Sequence, residues 1–223
     1  MCLKGYILTL DDSNGCPRAT KMTTLSDVAE MLRTARREVR LSQDELALRA
    51  GVARTTVARM ENLAKGDMSV SALVRLLEAG LVRAIGTSNF KPAHLQKLFD
   101  LGLVPHLNQI QLDPYHLRDD LVAIHRAKGI VTGAWRPLGC GNAMLADPTI
   151  VSVAERHGRT TAQVILRWLT QQGFVATPKS SNPTRMAQNL DIFDFTLSAD
   201  EMALLGTLDR PDPDMFDADS FGH

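Results

Sequence analysis

The stretch Val82-Arg83-Ala84-Ile85-Gly86-Thr87-Ser88-Asn89-Phe90 decides the fold. Its apolar run predicts a strand over 82–86, the polar Ser88-Asn89 step a turn, and the following residues a helix near 92–101. The same grammar repeats downstream. Strands are expected at 107–111 and 130–135, the second ending in Pro137-Leu138-Gly139. A fourth is expected at 174–177, running into Pro178-Lys179-Ser180. Helices are expected near 117–127, 147–157, 161–171 and 184–192. A last helix starts at the capping box Ser198-Ala199-Asp200-Glu201. Short apolar runs alternating with amphipathic helices are the pattern of βα units on a parallel sheet.

Four such units between residues 81 and 210 make half of an eight-unit (β/α) barrel, whose sites lie at the C-terminal ends of the strands. Upstream, residues 25–79 are helical in pattern. Leu25, Val28, Ala29, Leu32 and Ala35 share one face, with Arg33, Arg36, Arg37 and Arg40 largely on the others. Ser42-Gln43-Asp44-Glu45 is a capping box, and Gly51 stands where a tight turn needs positive φ. A third helix near 54–61 buries Val57 and Met60, and a fourth reaches 79 with Leu73, Leu76 and Leu77 inside. The expected fold class is therefore mixed: an all-α helix-turn-helix bundle, then an α/β half-barrel. Residues 1–24, rich in turn formers, read as an irregular leader, and 211–223 as an acidic tail.

Composition narrows the function classes. The chain has 223 residues, 44% hydrophobic and 22% charged, with 25 basic and 25 acidic side chains. The first 80 residues hold 12 basic and 10 acidic groups and the remainder 13 and 15, so no global field favours nucleic acid or membrane. No apolar run is long enough to span a bilayer, and the N-terminus does not read as a signal peptide. Cys2, Cys16 and Cys140 form no CxxC pair, which makes a reducing cytoplasm the expected compartment. Among the six histidines, His94, His125 and His157 are expected on helix surfaces, and no metal-ligand spacing is present.

The helical part resembles the phage-repressor (Cro-type) family of DNA-binding domains. The carriers are Leu41-Ser42-Gln43-Asp44-Glu45-Leu46-Ala47, Ala50-Gly51-Val52 and Thr55-Thr56-Val57-Ala58-Arg59-Met60-Glu61-Asn62. That resemblance implies Arg54, Thr55 and Arg59 facing bases in a major groove, with Gln43 and Thr56 near phosphates of double-stranded DNA.

The α/β part resembles the aldo-keto reductases. Its carriers are Arg83 to Phe90, Asn108-Gln109-Ile110-Gln111, Asp113-Pro114-Tyr115, Trp135-Arg136-Pro137-Leu138-Gly139, and Pro178-Lys179-Ser180 with Arg185 and Asn189. The resemblance implies NADP(H) as cofactor. Ser88, Asn89 and Gln109 would hydrogen-bond its nicotinamide carboxamide, Trp135 would stack on that ring, and Leu138 would be a further cofactor-binding residue. Lys179, Ser180 and Arg185 would hold the 2′-phosphate, with Gln188 and Asn189 at the adenine. Arg136 departs from the small residue usual in the family, and Gln188 from the acid.

Catalysis in that family needs a Tyr, Lys, Asp and His from the first four strands, and helical sequence precedes Val82 instead. The two tyrosines are Tyr6, in the leader, and Tyr115, in a turn; no residue is assigned a catalytic role. Three readings follow. The first is a DNA-binding, redox-sensing regulator built on an NADP(H)-binding half-barrel. The second is a reductase whose first half comes in trans, and the third an inactive remnant. Four strands cannot close a barrel, so a homodimer or a complementing half-barrel chain is the expected partner.

Overall fold

A computed structural model of the protein describes residues 6–9, 33–62, 84–139 and 143–210. The chain divides into two compact units: Met1–Ser88 with Lys97–His106, and Asn89–Gln96 with Leu107–His223. No helix among the described residues is long and apolar enough to cross a membrane.

In the first unit, β1 (Tyr6–Thr9) pairs antiparallel with β2 (Ala84–Ser88), Tyr6 opposite Thr87 and Thr9 opposite Ala84. This corrects the reading of residues 6–9 as irregular leader: Tyr-Ile-Leu-Thr is strongly β-favouring, and only a pairing partner was missing. β2 also continues two residues beyond the expected end at 86. The His106 amide donates to the Ile85 carbonyl (2.8 Å) and its Nδ1 accepts from the Ile85 amide (3.3 Å).

Three helical segments belong to the same unit: residues 33–38 (α1), Gln43–Arg49 (α2) and Arg54–Asn62 (α3). The Ser42 capping box forms as read, with the Glu45 amide on Ser42 Oγ (3.1 Å) and the Ser42 amide on Glu45 Oε2 (2.7 Å). Gly51 takes φ +56°, turning the chain into α3. Leu46, Ala47, Ala50, Val57 and Met60 are buried.

Arg36 was expected off the apolar face of the first helix, with no partner named. Its Nε reaches Glu61 Oε1 at 2.5 Å and its Nη2 reaches Oε2 at 3.0 Å, while Gln43 Nε2 donates to the same Oε2 at 2.8 Å. Burial pushes the Glu61 carboxyl up, but these hydrogen bonds outweigh it and hold the group below the ordinary carboxylate range. The expected fourth helix, residues 25–32, residues 82 and 83, Cys2, Cys16, Cys140 and the acidic tail lie outside the described residues.

The boundary between the units falls within α4 (Pro92–Asp100). The second unit continues with β3 (Leu107–Gln111), α5 (Asp119–Lys128), β4 (Val131–Trp135), a 3-10 turn (Met144–Ala146), α6 (Pro148–His157) and α7 (Thr161–Gln171). It closes with β5 (Val175–Thr177), α8 (Pro183–Leu190) and α9 (Ala199–Gly206). β3, β4 and β5 form a parallel sheet in which Gln109 lies level with Gly133 and Val175, and Gln111 with Trp135 and Thr177.

Strand alternation sorts its two faces. Asn108, Ile110, Thr132 and Ala134 are buried on the side packed by helices, where α7 contributes Val164, Ile165, Trp168 and Leu169. Leu107, Gln109, Gln111, Val131, Gly133, Trp135, Val175 and Thr177 share the other face. Two valines there, Val131 and Val175, are 43% and 47% exposed.

Candidate functional site

In the second unit, polar side chains gather at the C-terminal ends of the parallel strands. Asn89 follows β2 with φ +58°, a left-handed conformation that asparagine tolerates better than most residues. Its amide donates to the Gln109 carbonyl (2.7 Å), and its Oδ1 accepts from Trp135 Nε1 (2.7 Å). A left-handed turn, β3 and the end of β4 are thereby drawn together.

Gln109 lies across the open face of the sheet. Its Nε2 donates to Thr177 Oγ1 (3.4 Å), and the Thr177 hydroxyl donates to the Ala134 carbonyl (2.9 Å). Gly133, opposite Gln109 in register, makes room: a Cβ there would meet Gln109 Cγ at 3.3 Å. Thr177 and Gly133 were not singled out in the sequence, although a glycine inside a strand signals a close approach by a neighbour.

Beyond β4 the chain turns sharply at Arg136, whose φ of +51° is costly for a long side chain. The Arg136 guanidinium carbon sits 5.0 Å from the Trp135 ring centroid and covers part of that indole. Leu138 and Gly139 are half-buried in the turn, Gly139 with φ +72° and with Met144 against the place of its absent Cβ.

A second cluster stands at the start of α8. Asn182 caps the helix by accepting from the Arg185 amide (3.1 Å), Pro183 occupies the first turn, and Ser180 Oγ accepts from the Asn182 amide (3.2 Å). Lys179 and Arg185 are exposed, and neither pairs with a carboxylate among the described residues. Two cations, a hydroxyl and the amides of a helix N-terminus suit a phosphomonoester. Gln188 and Asn189 are half-buried in the last turns of the same helix. Ser88 is the last residue of β2 and belongs to the first unit.

Tyr115 is committed elsewhere. Its hydroxyl donates to Asp147 Oδ2 (2.8 Å), its ring is buried, and the Arg210 guanidinium lies 3.4 Å from its centroid. Burial and the Asp147 carboxylate raise its pKa, the reverse of what a proton donor needs. His94 and His125, expected on helix surfaces, are both buried. The α5 face that carries His125 also carries Leu121 and Val122, so the ring points into the sheet-packed side.

On the helical segments, Arg54 and Thr55 are exposed in the first turn of α3, Arg54 beside Asp44 at 3.4 Å in an exposed pair of little energetic weight. Thr56 is half-buried, and the Gln43 amide nitrogen is occupied by Glu61. The Arg59 side chain lies outside what is described.

Residues 56–210 match the model of the aldo/keto reductase family. The chain belongs to the aldo/keto reductase family. The match begins at residue 56, inside α3, rather than at the expected boundary of 81. An aldo-keto reductase of Mycobacterium sp. (strain KMS) is 47% identical over 151 residues, covering 65% of this chain and 54% of that protein. Morphine 6-dehydrogenase of Pseudomonas putida is 45% identical over 171 residues, covering 69% and 58%. A crystal structure of a Gox0644 variant in complex with NADPH superimposes with a TM-score of 0.64 at 44% identity, over 68% of this chain and 56% of that one. The chain spans about half the length of the curated relatives it matches.

Proposed function

We propose that this aldo/keto reductase family chain is an NADP(H)-binding half-barrel of an oxidoreductase. The single observation that carries the reading is the pair of clusters on the second unit. Asn89, Gln109 and Trp135 offer hydrogen-bonding groups and an aromatic face at the strand ends, and Lys179, Ser180 and Arg185 offer an anion cradle at α8. The residues fit the cofactor's chemistry: Gln109 Oε1 accepts from no donor among the described residues, and the two cations are unpaired there. NADPH bound in this way supplies a hydride.

The chain's own residues would orient the nicotinamide carboxamide through Asn89 and Gln109 and fix the 2′-phosphate through Lys179 and Arg185. Leu138 would contact the cofactor from the turn after β4, and Gln188 with Asn189 would meet the adenine. Proton delivery is a separate requirement. Tyr115 is held by Asp147, so the proton donor would come from a complementing half, supplied by another chain or a second copy.

The test is NADPH binding to the full chain, followed by quenching of tryptophan fluorescence. Saturable binding is expected, with NADH weaker because it lacks the 2′-phosphate. The double variant Lys179→Ala/Arg185→Ala, which removes two charge-assisted contacts, is expected to bind roughly 100-fold more weakly. Equal affinity for NADPH and NADH, unchanged in the double variant, would remove the proposed phosphate cradle.

A second reading concerns residues 33–62, where a Ser42 capping box, a Gly51 turn and exposed Arg54 and Thr55 on α3 favour a duplex-binding helix pair. Its partner would be double-stranded DNA, with Arg54 and Thr55 toward the bases and with Thr56 and Gln43 nearer the phosphates. Duplex affinity that falls steeply with salt, and is lost in Arg54→Ala/Arg59→Ala, is the expected outcome. Absence of duplex binding at low salt by folded protein would sink this reading.

A further inference from the structure

Beneath the proposed nicotinamide site runs a buried chain of hydrogen bonds that the binding chemistry does not itself use. Asn108, on the helix-packed face of β3, brackets the Phe90 backbone: its Oδ1 accepts from the Phe90 amide (3.3 Å) and its Nδ2 donates to the Phe90 carbonyl (3.0 Å). The same Nδ2 lies 3.0 Å from His125 Nε2, and His125 Nδ1 lies 2.9 Å from Thr132 Oγ1 on β4. Asn108 and His125 are fully buried, and Thr132 nearly so.

We infer that the Thr132–His125–Asn108 relay is a positioning device that holds the Asn89–Phe90 turn, and through Asn89 the Trp135 indole, in the geometry required for nicotinamide binding. The inference rests on the cofactor reading above.

The need for such a device begins at Asn89. Its left-handed φ breaks the extended run of β2, so the Phe90 peptide cannot continue a strand ladder, yet Phe90 is buried. A buried peptide group left unpaired is expensive, and Asn108 satisfies both of its polar atoms. With Oδ1 accepting, Nδ2 is the donor, so His125 Nε2 must be the acceptor and the ring proton must sit on Nδ1, facing Thr132. Burial, followed by the charge of Arg118, lowers the His125 pKa to about 4, which keeps that neutral tautomer in place near neutrality. The ring is anchored from its own helix as well. Gly129 ends α5 in a left-handed cap, and the Ile130 amide returns to the His125 carbonyl (2.8 Å). His125 is therefore a rigid acceptor fixing the rotamer of Asn108. Asn108 fixes the turn, and the turn presents Asn89 Oδ1 to Trp135 Nε1 at 2.7 Å.

The test uses the indole signals of the ¹⁵N-labelled full chain. There are two, from Trp135 and Trp168, and a Trp135→Phe spectrum assigns them. In His125→Phe, which fills the space but cannot accept, the Trp135 indole N–H is expected to exchange with water about ten-fold faster. The Trp168 indole, held by the Met202 carbonyl at 3.1 Å, should stay in place. His125→Gln can accept from Asn108 and donate to Thr132, so it should restore the Trp135 signal. NADPH affinity should follow, about ten-fold weaker in His125→Phe and near wild type in His125→Gln.

A Trp135 signal unchanged in folded His125→Phe overturns the inference. It is equally overturned if both indoles move together in His125→Phe and in the milder Thr132→Val, since His125 would then be a core residue without a directed role. Wild-type protein that binds no NADPH refutes the cofactor reading instead, while the indole comparison, which needs no ligand, still decides the relay.

Discussion

Glu201 is the third residue of α9, and three partners converge on its carboxylate. Oε2 accepts from the Ser198 amide and from His157 Nε2, both at 2.9 Å, and Oε1 accepts from Arg156 Nε at 3.2 Å. Burial alone would raise its pKa, but the His157, Ser198 and Arg156 bonds prevail and bring it from 4.5 to about 2. A depressed folded-state pKa stabilises the fold above the unfolded value and loses that contribution as the carboxylate is protonated. The stabilisation by Glu201 is thus complete above about pH 4.5 and declines toward about pH 2. Urea unfolding of Glu201→Gln and wild type, compared from neutral pH down to about pH 3, should show a gap that narrows through the acid range. A gap independent of pH would mean that the carboxylate's charge contributes nothing to docking α9 against α6.

Among the elements, those written in local chemistry were legible. β3 spans the expected 107–111 and α7 the expected 161–171, since a polar turn, a cap and a periodic face fix both ends. The Ser42 and Ser198 capping boxes stand where their Ser-x-x-Glu spacing put them. A third box, Thr160 with Gln163, uses the same geometry but was not read from the sequence.

What escaped depends on residues far apart in the chain. β1 had no visible partner, because Tyr6–Thr9 and Ala84–Ser88 are separated by most of the first unit. The partner of Arg36 went unread because nothing near it in sequence announces Glu61, 25 positions away. His125 has a polar name on an otherwise apolar helix face, and only Asn108 and Thr132, on two different strands, explain its burial. The residues of the proposed cofactor site were legible as motifs, whereas Gly133 and Thr177, which shape the space around Gln109, are fixed by strand register and so were not.

On the scale of the whole chain, the second unit carries a parallel sheet that calls for more strands. Among the described residues β5 pairs with β4 alone, leaving the backbone edge of Val175–Thr177 to another partner. The open face beside it carries Val131 and Val175 with more than a third of their surfaces exposed, and it also holds Gln109 and Trp135. An unpaired edge next to an apolar face is a template for strand addition, and burying the two valines would contribute roughly 1 kcal/mol each. The matched stretch makes up 54% and 58% of the relatives' length, and the remainder of such a protein supplies the expected shape of that addition, a further set of βα units closing the barrel. Co-expression with the first four βα units of an aldo/keto reductase should therefore give a one-to-one complex that reduces carbonyl substrates with NADPH. The chain alone should show no such reduction, and it should self-associate as its concentration rises. A monodisperse monomer that ignores the added half, measured by light scattering, would mean that the exposed edge and face are covered within this chain, and that the proton donor must be sought here after all.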